Sequence, residues 1–146
     1  SVSDGAASVV IASAEKATEL GMVPRLRWIA RGVAGVDPAL YGIAPVPAVR
    51  SSLTRAGLTM DSIDIIELNE AFAAQALHNI RELDLDMDRT NINGSGISLG
   101  HPIGATGAIQ TVKLMEELAR QDKVFGLVTM CVGGGMGVAT IFERIN

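Results

Sequence analysis

Apolar residues fall along this chain in two rhythms, period two and period three to four, and the switches between them mark out the elements. Ala6–Ala12 (AASVVIA) is an unbroken apolar run, the pattern of a strand buried on both faces. Ser13 then offers a helix N-cap, with Glu15 in the first turn and Gly21 as a stop, which predicts a helix over Ala14–Leu20. From Arg25 to Val33, Leu26, Trp28 and Ala30 alternate with Arg25, Arg27 and Arg31, the period of a strand near a sheet edge. Pro45 and Pro47 open a helix that reaches about Ala56, with Val46, Val49, Leu53 and Ala56 as its apolar stripe and Gly57 as its stop. Ile63–Leu68 reads as a further buried strand, and Phe72–Leu83 as a helix with Ala73, Ala76, Leu77 and Ile80 on one face.

Asn91–Gly104 has no period and many small residues, which marks an ordered functional loop. A helix over Ala105–Arg120 follows, with Ala108, Val112, Met115 and Ala119 as its stripe. Val124–Phe142 carries no charge over a length that would cross a bilayer. Glycines at 126, 133, 134, 135 and 137 interrupt it, so it reads as two strands, Val124–Cys131 and Gly137–Glu143, joined by a turn. The order β-α-β-α-β-α-loop-α-β-β predicts one α/β domain over residues 1–146. Its expected sheet is mixed and five-stranded, four strands parallel and the last antiparallel, with helices on both faces.

Composition sharpens this picture in three places. Hydrophobic residues make up 48% of the chain and aromatics 3%, so Val, Ile, Leu, Ala and Met must build the core. A mean hydropathy of +0.32 is high for a freestanding domain and points to a doubly buried sheet or to a surface covered by something else. The net charge of -4 excludes the basic face that a nucleic-acid partner needs. Arg25, Arg27 and Arg31 read as a solvated edge, with anion binding as the alternative. One cysteine, Cys131, leaves no internal disulfide and fits a reducing compartment, the cytoplasm or an organelle matrix. No secretory pattern opens the chain, and Ser1 falls within a motif, so the natural start is expected upstream.

Three segments place polar or titratable residues among apolar elements. Asn69-Glu70-Ala71-Phe72-Ala73 follows the strand Ile63–Leu68, at the strand end where ligand sites gather in open parallel sheets; Asn69 could equally cap the next helix. Gly100-His101-Pro102-Ile103-Gly104-Ala105-Thr106-Gly107 flanks a histidine with glycines before a helix N-terminus, open to a close-approaching ligand. His78, on a helix, reads as structural. Cys131-Val132-Gly133-Gly134-Gly135-Met136-Gly137 is either a buried thiol beside a tight turn, or a thiol base or nucleophile next to N–H groups that serve an oxyanion. One Cys and two His are too few for a structural zinc site.

In this order and spacing, NEAFA, GHPIGATG and CVGGGMG resemble the C-terminal signatures of the thiolases, and the opening SDGAA resembles the segment that begins that family's C-terminal core domain. The resemblance spans essentially the whole chain and implies the family's βαβαβαββ fold. It implies Claisen condensation or thiolysis on acyl-CoA and CoA as substrates, with no covalently bound cofactor. By the match to GHP, His101 would accept the proton of a nucleophilic cysteine and help hold an oxyanion, with Asn69 acting through a bound water. By the match to C-x-G-G-G, Cys131 would be the second acid/base. The N–H of Gly133 would serve a second oxyanion hole, and Ala71 and Phe72 would line the acyl–pantetheine pocket.

The nucleophile belongs to the family's N-terminal half, and Cys131 is already assigned, so the resemblance implies that half as partner and an inactive isolated chain. It also implies a homo-oligomer. Ile109 stands where many relatives carry Arg, and Tyr41 where some carry Met. A ketoacyl synthase shares fold and chemistry but typically pairs two histidines with its nucleophile. A non-catalytic fragment, or a half that works only with a partner, also remains open.

Overall fold

The computed structural model describes residues 2–145. The helices predicted from capping and periodicity form close to their expected limits: α1 (Ala14–Glu19), α2 (Pro45–Ala56), α3 (Ala73–Glu82) and α5 (Thr106–Arg120), with a short α4 (Gly96–Leu99) inside the glycine-rich loop. Ser13 caps α1 by accepting from the N–H of Lys16. Gly57 ends α2 in the left-handed region, at φ 67°, where a side chain would be strained. The strands are β1 (Leu26–Gly35), β2 (Ile65–Leu68), β3 (Phe125–Gly133) and β4 (Met136–Arg144). Among the described residues no helix is long and apolar enough to cross a membrane.

The sheet has four strands, in the order β1-β4-β3-β2, rather than the five expected. Ala6–Ala12 is the strand that does not form; Val10 and Ile11 are 79% and 89% exposed. An apolar run without alternation needs cover on both faces, and the large helices of this chain already pack on β1 to β4. Beyond β2 a single parallel bridge, Ile66 to Thr90, extends the sheet by one residue. β4 runs antiparallel to both β1 and β3, while β2 and β3 pair in parallel. The antiparallel strand was expected; its place in the interior leaves three strands sharing one direction, not four.

Helices cover both faces, as expected. On one, Ala48 and Val49 of α2 pack on Ile66, Leu68, Leu127, Ala139 and Ile141. On the other, Leu114 and Leu118 of α5 pack on Ile65 and Val128. The stripe predicted for α5 is not the buried one. Thr106, Gln110, Leu114, Glu117 and Leu118 face the sheet, leaving Ala108, Val112 and Met115 half-buried on its flank. In α3, Gln75, Ala76 and Asn79 are buried and Leu77 is exposed. In both helices polar side chains face inwards, so a purely apolar criterion misplaces the α5 stripe and finds only half of the α3 one, where Ala76 and Ile80 do face the core.

At Gly32 a Cβ would fall on the Ala48 carbonyl and the Ser52 N–H of α2, so this helix lies directly on the β1 backbone. Gly32→Ala is expected to lower stability by about 1–3 kcal/mol through overpacking. The measurement is the urea midpoint, and an unchanged midpoint would mean that α2 lifts away freely.

Candidate active site

The loop after β2 is held from every side. The Asn69 N–H donates to the Thr129 carbonyl of β3 (2.9 Å), and Gln75 Nε2 donates back to the Asn69 carbonyl (3.3 Å). The Leu68 N–H donates to Asn91 Oδ1 (2.8 Å), and Ser95 Oγ to the Leu68 carbonyl (2.9 Å). Glu70 accepts from Asn91 Nδ2 (3.1 Å) and from the N–H of Ile97 (3.2 Å), which ties the loop to α4. Gly96 has no room for a Cβ, which would meet the Glu70 carbonyl and lie 3.2 Å from Asn69 Oδ1. The fully buried Asn69 side chain therefore sits in a preformed seat.

Into that seat comes His101, half-buried. Asn69 Nδ2 lies 3.5 Å from its Nδ1 and 3.4 Å from its Nε2, nearly equidistant from both. Thr106, in the first turn of α5, anchors the ring through Oγ1 at 2.7 Å from Nδ1. With Nδ1–H donating to Thr106, Nε2 keeps its lone pair, the state a general base needs. Thr106 belongs to the GHPIGATG motif, and a hydroxyl at the start of the helix that follows the histidine was the available signal.

Cys131 and Gly133 lie at the same end of the sheet, since Leu68 pairs with Thr129 and Cys131 follows two residues on. The β3–β4 register slips between Cys131 and Gly133, a bulge of the kind that re-aims side chains beside active sites. Gly134 and Gly135, at φ 60° and 81°, make the turn between β3 and β4, and the Gly135 carbonyl accepts from the Val36 N–H (2.8 Å). Among the described residues the hydrogen-bond partners of the His101 ring are Asn69 and Thr106, not Cys131. Burial pushes the Cys131 thiol up, and a backbone hydrogen bond pulls the other way. Desolvation outweighs that hydrogen bond in this chain.

Ala71 is half-buried and Phe72 is 57% exposed at the entrance to α3, where Phe72 meets Tyr41 edge-on with ring centroids 6.2 Å apart. His78 is exposed. A shallow cleft beside the Asn69–His101 pair is lined by Asn69, Ser95, Thr106, Ile109, Gln110 and Lys113, among others. Ile109, the position where Arg was expected, thus lies on the cleft wall.

Behind the cleft runs an ion pair that sequence reading missed. Lys113 Nζ donates to Glu67 Oε2 at 2.8 Å, and Glu67 is 1% exposed. Burial pushes the Glu67 carboxyl up to about 6, against the pull of Lys113 and with Glu117 and Glu70 adding to the rise. Glu117 goes the other way: the hydrogen bond from Arg120 holds it down at about 2, helped by Gln121 and Asn93 against burial. The signal was a charged residue, Glu67, in an otherwise apolar strand. Among the described residues no group of three or more His, Cys, Asp or Glu could hold a metal.

Residues 22–144 match the family described as thiolase, C-terminal domain. The beta-ketothiolase BktB of Cupriavidus necator is 54% identical over 144 residues, covering 99% of this chain and 36% of that protein. A 3-ketoacyl-CoA thiolase of Bacillus subtilis is 49% identical over 141 residues, 97% of this chain and 36% of its own length. The crystal structure of the Bacillus anthracis acetyl-CoA acetyltransferase superposes with a TM-score of 0.89 at 50% identity, over 91% of this chain and 34% of that one. A mixed α/β sheet whose strand ends carry the Asn69–His101 pair and a cysteine–glycine hairpin defines a C-terminal thiolase domain, and the chain belongs to the thiolase family. It spans about a third of the length of these relatives.

Proposed function

We propose that this chain is the acid/base and oxyanion half of a thiolase, acting in acyl transfer between acyl-CoA and CoA by Claisen condensation or by thiolysis of a 3-ketoacyl-CoA. The observation that carries the reading is the Asn69–His101 contact, braced by Thr106, at the end of the sheet to which Cys131 also belongs. A Claisen step develops negative oxygen on both the carbonyl and the enolate, so it needs two donor sets and two proton-transfer groups. Asn69 with His101 supplies one donor set and the N–H of Gly133 contributes to the other. His101 takes the proton of the nucleophile, and Cys131 exchanges the alpha proton of the acetyl group. Ala71 and Phe72 border the acyl–pantetheine path.

The nucleophile and the rest of the pocket come from an N-terminal thiolase domain on this reading, and the surface supports such a partner. Leu40, Phe72, Ile97, Leu99, Val132 and Met136 are all exposed on elements that border the site. The second sheet face is also left open over β1 and β4, where Trp28 is 60% exposed. An apolar rim of this kind around a polar site marks a covered surface. The family's soluble compartment and homo-oligomeric assembly belong to the same proposal.

The test is CoA release by the complete protein across acyl chain lengths, with and without Asn69→Ala. Thr106→Val, which removes the partner of His101 Nδ1, is expected to slow acylation about tenfold, the worth of one neutral hydrogen bond. Stopped-flow acylation reads this directly, and a rate equal to the parent's would separate Thr106 from the mechanism.

A further inference from the structure

We infer that Gln110 is a positioning residue for Asn69, acting through water held in the cleft that Asn69 and α5 share with the glycine-rich loop around α4; this deepens the thiolase reading and rests on it. Asn69 is fully buried and Gln110 is 3% exposed, and both line the same cleft. Among the described residues, Asn69 Oδ1 and both polar atoms of the Gln110 amide have no hydrogen-bond partner. Native structures pair such groups with ordered water where protein supplies nothing.

The helix geometry sets the two amides opposite each other. Thr106, Gln110, Lys113 and Glu117 follow one side of α5, the spacing that stacks residues along a helix face. Three of the four have partners across the seam: Thr106 meets His101, Lys113 meets Glu67, and Glu117 meets Asn93. Glu67 lies two residues before Asn69, on the same side of β2, and Gln110 lies one turn before Lys113. Gln110 is therefore the rung that faces Asn69. Nearby inward positions of α5 are apolar, Leu114 and Leu118, so packing alone does not call for an amide here. Water shared by Gln110 and Asn69 Oδ1 fixes the Asn69 amide with Nδ2 towards His101, which keeps the oxyanion donor aimed before substrate arrives.

Gln110→Met, of similar size and apolar, tests this in the complete thiolase that carries this domain. The variant is expected to fold, with a thermal midpoint equal to the parent's or higher, because it replaces an amide that has no protein partner. Its kcat should fall about tenfold while KM stays within about twofold. In an Asn69→Ala background the same change should cost nothing further. Gln110→Glu supplies a second readout. Its protonated carboxyl mimics the amide, so activity relative to the parent should fall as pH rises, a limb absent from Gln110→Met. Full kcat in Gln110→Met, a loss that adds independently to Asn69→Ala, or failure of Gln110→Met to fold would each overturn the assignment. Failure of the thiolase reading looks different: Asn69→Ala itself would then leave turnover at the parent's level.

Discussion

Cys131→Ala, made in a complete thiolase carrying this domain, is expected to accept an acetyl group from acetyl-CoA normally while condensation falls by roughly 10²–10⁴-fold, the usual worth of a general base. The asymmetry follows from where each group acts. Cys131 works only in the carbon–carbon step, whereas His101 takes the proton of the nucleophile, so His101→Ala should impair acylation itself. Burial pushes the Cys131 thiol up from its ordinary value, which favours the protonated form, the acid that protonates a departing enolate in thiolysis. As a base it must first ionise, so condensation should climb with pH through the thiol's titration, and Cys131→Ala should abolish that limb. Acetyl incorporation by mass spectrometry, beside overall turnover from about pH 7 to 10.5, separates the roles. Equal loss of acetylation in the two variants would sink the division of labour. Unharmed condensation in Cys131→Ala would leave only a buried thiol.

Lys113→Met is expected to destabilise the domain by about 3–5 kcal/mol at neutral pH, because it leaves Glu67 buried without its cation. The size of the loss should depend on pH, and its sign can be worked out. The folded value of Glu67, about 6, lies above its ordinary 4.5, so its contribution is most favourable below 4.5 and is lost as pH rises through 6. Without Lys113 the carboxyl rises further, so the penalty widens above pH 6 and narrows towards pH 5, where a protonated Glu67 no longer needs a cation. Urea unfolding of parent and variant at pH 5 and pH 7.5 checks this. The same loss at both would mean that the Lys113–Glu67 pair is not coupled to the fold. Glu117 sets a contrast. Its lowered value stabilises the fold at and above ordinary carboxylate values, and that contribution disappears only as pH falls towards 2.

What the chain determined by itself is local. Capping residues and periodicity placed four helices and four strands within a few residues, because caps, stops and alternation are properties of neighbours in sequence. The three motifs likewise named Asn69, His101 and Cys131, since polar residues that interrupt apolar elements, and the glycines around His101 and Cys131, are visible without a fold. Tertiary structure decided the rest. Ala6–Ala12 has every local mark of a strand, yet it forms none here, because a doubly buried strand depends on cover that distant elements must supply. Ala108 and Val112 look like the buried stripe of α5, yet Lys113 and Glu117 turn inwards, where Glu67 and Asn93 give them polar partners. The strand order, with β4 between β1 and β3, is a choice among edges that no single segment encodes. The acidity of Cys131 is likewise set by tertiary structure, because the desolvation that raises its thiol comes from the packed chain around it.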